Sequence, residues 1–347
     1  MILFFSQVCL CVFVSSWLIA PAHSVNISTR AGTSTAQFLK LEQGARHAAM
    51  GGTYSGYGND AFTVWGQPAA IAEGAGYQIG LQHSELFLDV TQEYGGFTGA
   101  LGGRGRWGLT VNTLGVDDLQ RTTENAAGQF GGSGGLFGSR DLGVALHYGF
   151  RASDDVSLGF AARYIGSEID NERATGFAGD AGFRWRVRAI EGLTIGGSVT
   201  NVGSGLKFLS RRDDLPTSFR AGAAYQFVNY RLLIAADAIK SIDRDWDAGV
   251  GGEWRPIEAV KLRVGYRTQG RDTRDGVTAG IGFALGGLEL DYAYVPNGLL
   301  GDAHRVSAGY VFGGGSAGMN DVHADPMDPV EAEHSMAATA ATERRLK

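Results

Sequence analysis

The chain has 347 residues, a formal net charge of −6 and 54 glycines, roughly twice the usual share of glycine. An acidic chain without a basic stretch lacks the positive face that nucleic acids require, so no nucleic-acid partner is expected. Proline is scarce, at 7 residues, and 44% of the residues are hydrophobic, which excludes a disordered Pro/Gly-rich chain.

Residues 1–24 are predicted to be a secretory signal peptide. Residues 2–20 are almost wholly apolar, and cleavage is expected after Ser24. The start lacks the usual positive charge, so a signal anchor is the alternative. Both cysteines, Cys9 and Cys11, lie in this segment, so the mature chain has no thiol for a disulfide, a nucleophile or a metal site, and no cofactor is expected. No later stretch approaches the ~18 apolar residues of a spanning helix, which leaves an exported soluble protein or a membrane β-barrel.

Residues 25–74 precede the first predicted strand and are assigned as an N-terminal hatch or plug segment. They contain two blocks rich in small residues, GARHAAMGG at 44–52 and NDAFTVWGQPAAIA at 59–72. Small residues let a chain lie close to strand backbones, and Pro68 ends a helix or turns the chain into the first strand. We therefore favour a plug that closes a barrel. The alternative is a movable hatch that lines a substrate path.

Residues 75–312 alternate between apolar and polar side chains, which is the period of a β-strand. Leu262, Val264 and Tyr266, for example, alternate with Arg263 and Gly265. Most segments have the length of about 9–11 residues that a tilted membrane-spanning strand needs. Fourteen segments follow this pattern: 75–82, 92–100, 106–115, 141–151, 155–168, 175–188, 192–202, 217–228, 230–240, 246–255, 259–268, 276–285, 287–296 and 304–312.

Short and long connections alternate between these segments. The longer polar connections are predicted at 83–91, 116–140, 169–174, 203–216, 241–245, 269–275 and 297–303. An even strand number with tight turns at one end and longer loops at the other is typical of outer-membrane barrels. The sequence therefore predicts an all-β protein, a transmembrane antiparallel β-barrel of about 14 strands, located in the bacterial outer membrane and surrounded by its lipid.

Charged residues within the strands must face the lumen, because Arg or Lys on the lipid face costs roughly 2–4 kcal/mol at mid-bilayer. These residues include Arg163, Asp180, Arg184, Arg263 and Asp291. We expect them to form paired charges on the interior wall. The many lumen glycines would leave room inside the barrel or ease strand curvature. Residues 313–347 are predicted to be a disordered tail, with a short helix near 330–345.

Two groups of polar residues are candidate reactive sites. Asp302 and His304 would suit an Asp/His pair that activates water in a barrel-borne hydrolase. His83, Glu85 and Asp89 could bind a cation, although their spacing fits no specific metal geometry. Ordinary solvated loop residues explain both groups more simply, so neither an enzyme nor a metal site is expected.

The two blocks in residues 44–72 resemble the N-terminal signature of the PorV/PorQ family of outer-membrane proteins, which is related in fold to the FadL-type fatty acid transporters. Gln67 stands where that signature usually has Asn, and Ala70 stands where it usually has Gly. The matching positions are Gly44, Ala45, Arg46, Ala49, Met50, Gly51, Gly52, Asp60, Ala61, Pro68, Ala69 and Ala72.

This resemblance implies a fourteen-stranded barrel with its N-terminal segment in the lumen. Family members serve the type IX secretion system, so we expect an accessory or shuttle component of protein secretion, with secretion-system proteins or secreted cargo as partners. The alternative is FadL-type transport of hydrophobic small molecules, with a hydrophobic ligand. An apolar lumen pocket with a lateral opening would favour transport, and extended outer loops over a closed lumen would favour secretion.

Overall fold

The structure is a computed structural model that describes residues 32–101, 105–227, 231–268, 276–297 and 301–313. The expected signal peptide and the predicted tail from residue 314 onward lie outside the described residues. The strands are β1 (Tyr77–Glu85), β2 (Thr91–Ala100), β3 (Gly105–Glu124), β4 (Phe130–Arg151), β5 (Val156–Ile169), β6 (Glu172–Arg186), β7 (Leu193–Gly203), β8 (Leu206–Phe208), β9 (Arg211–Asp213), β10 (Ser218–Phe227), β11 (Leu232–Ser241), β12 (Asp247–Ile257), β13 (Val260–Arg267), β14 (Val277–Leu285), β15 (Leu288–Pro296) and β16 (Asp302–Phe312).

Fourteen of these strands form one closed antiparallel barrel, which confirms the predicted fold class. Neighbours in the chain pair with each other, β7 pairs with β10, and β16 closes the barrel against β1. The closing register places Tyr77 opposite Phe312 and Glu85 opposite His304. Strands β8 and β9 are not part of the barrel wall and form a small separate hairpin.

The side-chain alternation separates an apolar outer face from a polar inner face. On β13, Leu262, Val264 and Tyr266 are exposed, whereas Lys261 and Arg263 are buried. The five strand charges assigned to the lumen from the sequence are all buried inside the barrel, which agrees with that assignment. Exposed aromatic and aliphatic side chains give the wall an outer surface suited to lipid. Examples are Phe160, Phe177, Phe183, Trp185, Trp254 and Phe283.

The predicted long connection at 116–140 is wrong. Strands β3 and β4 continue through it and pair with each other as far as Glu124 opposite Phe130. The neighbouring strands end earlier, with Thr91 opposite Gly115 and Ser139 opposite Ile169, so the hairpin projects beyond the wall. Because the projecting part has no lipid face and no packed lumen face, its sequence need not alternate, and the period of two fails there.

Two other predicted loops also differ from the structure. The connection at 169–174 shrinks to a tight turn at residues 170–171, because β5 and β6 pair out to Ile169 opposite Glu172. The connection at 203–216 contains the β8–β9 hairpin and buries Leu206 and Leu215. We call the end of the barrel that holds the turns at 258–259 and 286–287 the inner end, and the end from which the β3–β4 hairpin projects the outer end.

Residues 32–76 run through the lumen, and we call this segment the plug. Its regular elements are α1 (Ala45–Ala49) and three 3₁₀ turns at Gln37–Lys40, Thr63–Trp65 and Pro68–Glu73. The plug begins near the outer end, where the Thr35 amide donates to the Asp214 carbonyl at 2.9 Å. It leads into β1 at the inner end. Within the residues that the structure describes, no helix has the length and apolar character to cross a bilayer.

Glycines on the inner wall make room for the plug. A Cβ added to Gly159 on β5 would overlap the Pro68 carbonyl, and one added to Gly196 on β7 would overlap the Ser55 carbonyl. A Cβ on Gly265 of β13 would overlap the Gly51 amide. The wall is therefore glycine-rich where the plug backbone lies directly against the strands.

We expect Gly159→Ala to loosen the plug and to destabilise the barrel by about 1–3 kcal/mol, because the added methyl group meets backbone atoms that have no room to move. Samples are heated to increasing temperatures and run on a gel, and the measurement is the temperature at which the band shifts from the folded to the unfolded position. Gly166→Ala on the same strand is the control, because its Cβ faces outward and meets no atom closer than 3.6 Å. Equal effects of the two changes would contradict the close packing.

Candidate functional site in the lumen

One side of the plug is fixed to the wall by a buried charge network. Arg46 of α1 donates two hydrogen bonds to Glu253 on β12, at 2.8 and 3.1 Å. Glu253 also accepts from Arg263 at 2.7 Å, and Arg263 in turn donates to Asp291 at 2.6 Å. Arg46 is a motif residue of the sequence, but Glu253 was not foreseen. The signal in the sequence that could have identified Glu253 is its charge at an inward-facing position of a strand with alternating polarity.

Arg184 on β6 holds the middle of the plug by its backbone. Its guanidinium donates to the carbonyls of Ser55 at 3.0 Å and Tyr54 at 2.9 Å. It also donates to the carbonyls of Tyr57 and Gly58. One wall side chain thus satisfies four carbonyls of a segment that has no regular secondary structure of its own.

Asp237 on β11 serves the backbone amides of the same stretch. Its carboxylate accepts from the Tyr54 amide at 2.8 Å and the Ser55 amide at 3.2 Å. Arg220 of β10 pairs with Asp237 at 2.9 Å and donates to the Gly52 carbonyl at 2.7 Å. The roles of Asp237 and Arg220 could not be predicted from the sequence, because the plug residues that they bind lie far from them along the chain.

His47 is buried within the plug and ties together two of its turns. Its Nδ1 lies 2.9 Å from the Thr53 carbonyl, and its Nε2 lies 2.9 Å from the Thr63 hydroxyl. The ring stacks on Tyr54 with centroids 4.0 Å apart. Burial lowers the pKa of His47 to about 4, despite the opposing effect of the Asp60 carboxylate. His47 is therefore neutral at pH 7.

The first motif block is shaped by its glycines and small residues. Gly44, Gly51 and Gly52 all have positive φ values, which favour glycine. Ala45 and Met50 are fully buried against the wall, Met50 at the position where Gly251 leaves space. These residues close the plug against the β11–β15 side of the barrel.

The second motif block builds two tight turns. Asp60 accepts from the amides of Phe62 and Thr63 at 2.9 and 2.8 Å and so caps the turn that follows. Gln67 caps the next turn, which begins at Pro68, and its φ of −138° is extended. Because that φ is open to any residue, replacing the usual Asn by Gln costs nothing in backbone conformation.

The remaining residues of the second block pack against the wall. The Gln67 side chain donates to the carbonyls of Phe183 and Gly197, at 3.3 Å each. Ala61 and Ala69 are buried, and the Ala61 carbonyl accepts from the Tyr94 hydroxyl at 2.6 Å. The motif residues are therefore spread along the plug and do not converge on one reactive point.

An apolar cluster occupies the lumen between the plug and strands β2–β6. Trp65 contacts Tyr94 within it, with ring centroids 5.9 Å apart, and the Arg163 guanidinium lies 3.8 Å from the indole ring centroid. Arg163 also donates to the Trp65 carbonyl at 2.6 Å and pairs with Asp180 at 2.5 Å. The cluster consists of Ala36, Phe38, Leu39, Phe62, Trp65, Tyr94, Ala145, Ile165, Ala174, Ala178, Leu206 and Leu215.

Two cavities lie on opposite sides of this cluster. The outer cavity lies at the outer ends of β2–β6 and has a volume of about 890 Å³. Two of its lining residues connect it to the cluster: Ala174 is a member of the cluster, and Leu114 packs against it. The inner cavity has a volume of about 80 Å³ and is lined by charged side chains together with Phe62. The lining of the outer cavity includes Leu114, Asp141, Ser167 and Ala174 on the lumen side and extends over the rim to Leu142 and Tyr164.

The structure does not assemble either of the two candidate reactive sites. His304 is exposed and lies 2.7 Å from the Tyr292 hydroxyl, and Asp302 is exposed as well, so they form no buried pair. His83 and Glu85 lie on β1, and His83 contacts Glu93 at 2.5 Å. Among the described residues, no group of three His, Cys, Asp or Glu side chains could hold a metal ion.

No family model matches the sequence, and no curated protein matches it. The fold is similar to that of the deltaS2S3 mutant of the monoaromatic hydrocarbon channel TodX, with a TM-score of 0.59 at 15% identity over 78% of this chain and 99% of that chain. It is also similar to the P. putida toluene transporter TodX, with a TM-score of 0.58 at 14% identity over 79% and 99% of the two chains. A Pseudomonas aeruginosa FadL homologue gives a TM-score of 0.54 at 14% identity over 78% and 99%. The chain therefore has the fold of the FadL-like barrels.

Replacing Arg184 by Met is expected to weaken plug docking by about 3–5 kcal/mol, because four carbonyls and Glu73 lose a buried charged partner. The measurement is the rate at which a protease cleaves within residues 32–76 of the folded protein. Arg188→Met is the control, because Arg188 is exposed and pairs only with rim carboxylates in the described part of the chain. Equal cleavage rates for the two variants would contradict the anchoring role.

Acidification is expected to loosen the plug through His47. The unfolded segment binds a proton near pH 6.5, whereas the folded segment binds it only near pH 4, so stability is full above pH 6.5 and falls as the pH drops toward 4. The loss amounts to about 3 kcal/mol. The measurement is the rate of protease cleavage within the plug as a function of pH. We expect this rate to change little between pH 6.5 and pH 4 in His47→Gln. The control His83→Gln, at an exposed position, is expected to show the same pH dependence as the native chain. An unchanged profile in His47→Gln would contradict this assignment.

Proposed function

We propose that this chain is an outer-membrane barrel that transports hydrophobic small molecules, in the manner of FadL-type barrels. The observation that carries the proposal is the apolar cluster, which closes the lumen directly below the outer cavity of about 890 Å³. That volume includes space above the rim, and the lumen part of the cavity is lined by Leu114, Asp141, Ser167 and Ala174. The fold is also that of barrels described as hydrocarbon channels and a toluene transporter.

The distribution of polarity supports this proposal. A general aqueous pore needs a continuous polar path, but here aromatic and aliphatic side chains fill the lumen next to the outer cavity. A hydrophobic molecule gains roughly 25 cal/mol for each Å² of apolar surface that it buries there. The charge network around Glu253 lies on the opposite side of the plug, and the ion pair that contacts the cluster, Arg163 with Asp180, is paired internally.

Under this proposal the plug acts as a movable hatch, and Phe62 forms the thinnest barrier. Phe62 belongs to the apolar cluster and also lines the inner cavity. Its ring lies against the inner wall where Gly80 has no side chain; an added Cβ there would be 2.8 Å from the ring. A displacement of the turn at 59–62 would connect the cluster with the inner cavity.

A second candidate is an accessory or shuttle role in protein secretion, of the PorV/PorQ kind. It is favoured by the resemblance of residues 44–72 and by the β3–β4 hairpin, which projects beyond the wall above a filled lumen. Phe130 and Leu136 on that hairpin are 69% and 62% exposed, as residues of a protein-binding surface would be.

The transport proposal is tested by uptake of labelled toluene in cells with and without the protein. We expect faster uptake in its presence and a further several-fold increase with Phe62→Ala, because removing the ring opens the barrier between the cluster and the inner cavity. Phe160→Ala is the control, since Phe160 faces outward on β5. Deletion that leaves toluene uptake unchanged and blocks delivery of secreted proteins to the cell surface would replace transport by the secretion candidate.

A further inference from the structure

A pair of buried amide side chains on the inner wall has incomplete hydrogen bonding. Gln92 on β2 and Asn112 on β3 are both 0% exposed, and Gln92 Nε2 donates to Asn112 Oδ1 at 3.1 Å. Gln92 Oε1 and Asn112 Nδ2 have no hydrogen-bond partner among the described residues. Buried polar groups are almost always paired, so two adjacent unpaired groups indicate an absent partner.

The pair presents the same chemistry whichever way its amides are turned. In the present orientation, one carbonyl oxygen and one NH₂ group are free. If both amides are flipped, the carbonyl oxygen of Gln92 accepts from Asn112, and again one NH₂ group and one carbonyl oxygen are free. The site therefore offers one donor and one acceptor side by side.

This amide pair lies where the outer cavity meets the apolar cluster. Leu114, two residues beyond Asn112 on the same face of β3, lines the outer cavity and packs against the cluster. Asn112 lies directly opposite Tyr94, a member of the cluster. Thr91 and Thr113, the sequence neighbours of the two amides, lie on the opposite face of the strands and line the part of the cavity that extends over the rim. A molecule that passes Leu114 on its way from the outer cavity to the apolar cluster comes beside Gln92, which lies opposite Leu114 in the strand register.

We propose that Gln92 and Asn112 bind the hydroxyl group of a hydrophobic ligand, so that the preferred substrates are phenols or alcohols instead of plain hydrocarbons. This inference rests on the proposed transport function. A hydroxyl group donates to the free carbonyl oxygen and accepts from the free NH₂ group, whereas a hydrocarbon does neither. The apolar body of the ligand then packs against Trp65 and its neighbours.

A carboxylate suits this position poorly. It has no proton to donate at neutral pH, so the free carbonyl oxygen would face a negative charge. Arg163, two strands away from Asn112, is already paired with Asp180 at 2.5 Å and stacked on Trp65. Asp141, on the lumen side of the outer cavity, adds a negative charge on the way in. We therefore expect acids to bind less tightly than neutral hydroxyl compounds.

Three probes with the same methylated ring isolate the effect of the polar group: toluene, p-cresol and 4-methylbenzoate. Their binding to the purified full chain in detergent is measured by calorimetry at pH 7. We expect p-cresol to bind about tenfold more tightly than toluene, the effect of two hydrogen bonds to otherwise unpaired groups. We expect 4-methylbenzoate to bind most weakly.

The double variant Gln92→Leu with Asn112→Leu assigns the preference to this pair. Removing both partners together leaves no unpaired group, so the barrel is expected to keep its heat-modifiable migration on a gel. In this variant p-cresol loses its advantage and toluene binds at least as well as before. The matched control is Gln78→Leu with Thr98→Val, which removes another buried pair, joined at 3.1 Å, nearer the inner end of the same wall.

The outcomes separate the inference from the function on which it rests. Equal binding of toluene and p-cresol overturns the hydroxyl site and leaves the proposal of hydrophobic transport intact. Tighter binding of 4-methylbenzoate than of p-cresol has the same consequence. A preference for p-cresol that survives in the double variant overturns the assignment to Gln92 and Asn112. If none of the three probes binds to the native chain, the inference and the transport proposal both fail.

Discussion

The structure depends on one constraint, which is that an irregular chain segment must be buried inside a closed barrel. The plug has little regular structure, so many of its amides and carbonyls do not pair with each other and must find partners on the wall. Arg184, Asp237 and Arg220 supply those partners between residues 52 and 58. Wall glycines such as Gly159 supply the space. The high glycine content and the buried charges are two consequences of the same requirement.

The two sides of the plug are held by different forces. Toward β10–β15, Arg46, Glu253 and Arg263 form buried ion pairs, and removing one partner of such a pair costs about 3–5 kcal/mol. Toward β2–β5, the plug makes apolar contacts around Trp65, and Arg163 also donates to the Trp65 carbonyl. Arg184 on the next strand, β6, holds the plug backbone by hydrogen bonds. A hydrophobic ligand can replace apolar contacts at little net cost, but it cannot replace an ion pair. The ion pairs around Glu253 and the hydrogen bonds of Arg184 therefore anchor the plug, and the apolar contacts around Trp65 are where a ligand can compete.

The barrel itself was predictable because lipid imposes a period of two on every spanning strand, and fourteen segments followed it. The prediction failed at 116–140, where the hairpin leaves the membrane and that requirement ends. The inward direction of Arg163 and Arg184 was predictable from the cost of charge in lipid. Their partners were not, because Arg184 binds plug residues more than 120 positions away, and no local pattern records such a pairing. The amide pair Gln92 and Asn112 was likewise invisible, since only the strand register brings the two together.

The residues that carry the family resemblance are those that build the plug. Gly51 fits against the wall, Arg46 enters the charge network, and Gln67 caps a turn. Such roles are needed in any barrel closed by this kind of segment, whatever passes through it or binds to it. The resemblance of residues 44–72 therefore bears on architecture more than on substrate. The residues that distinguish one ligand from another belong to the wall near the outer cavity, where Leu114, Gln92 and Asn112 lie outside the motif. A functional assignment for this chain consequently depends on the chemistry of β2–β5, and the strongest evidence will come from variants of those strands.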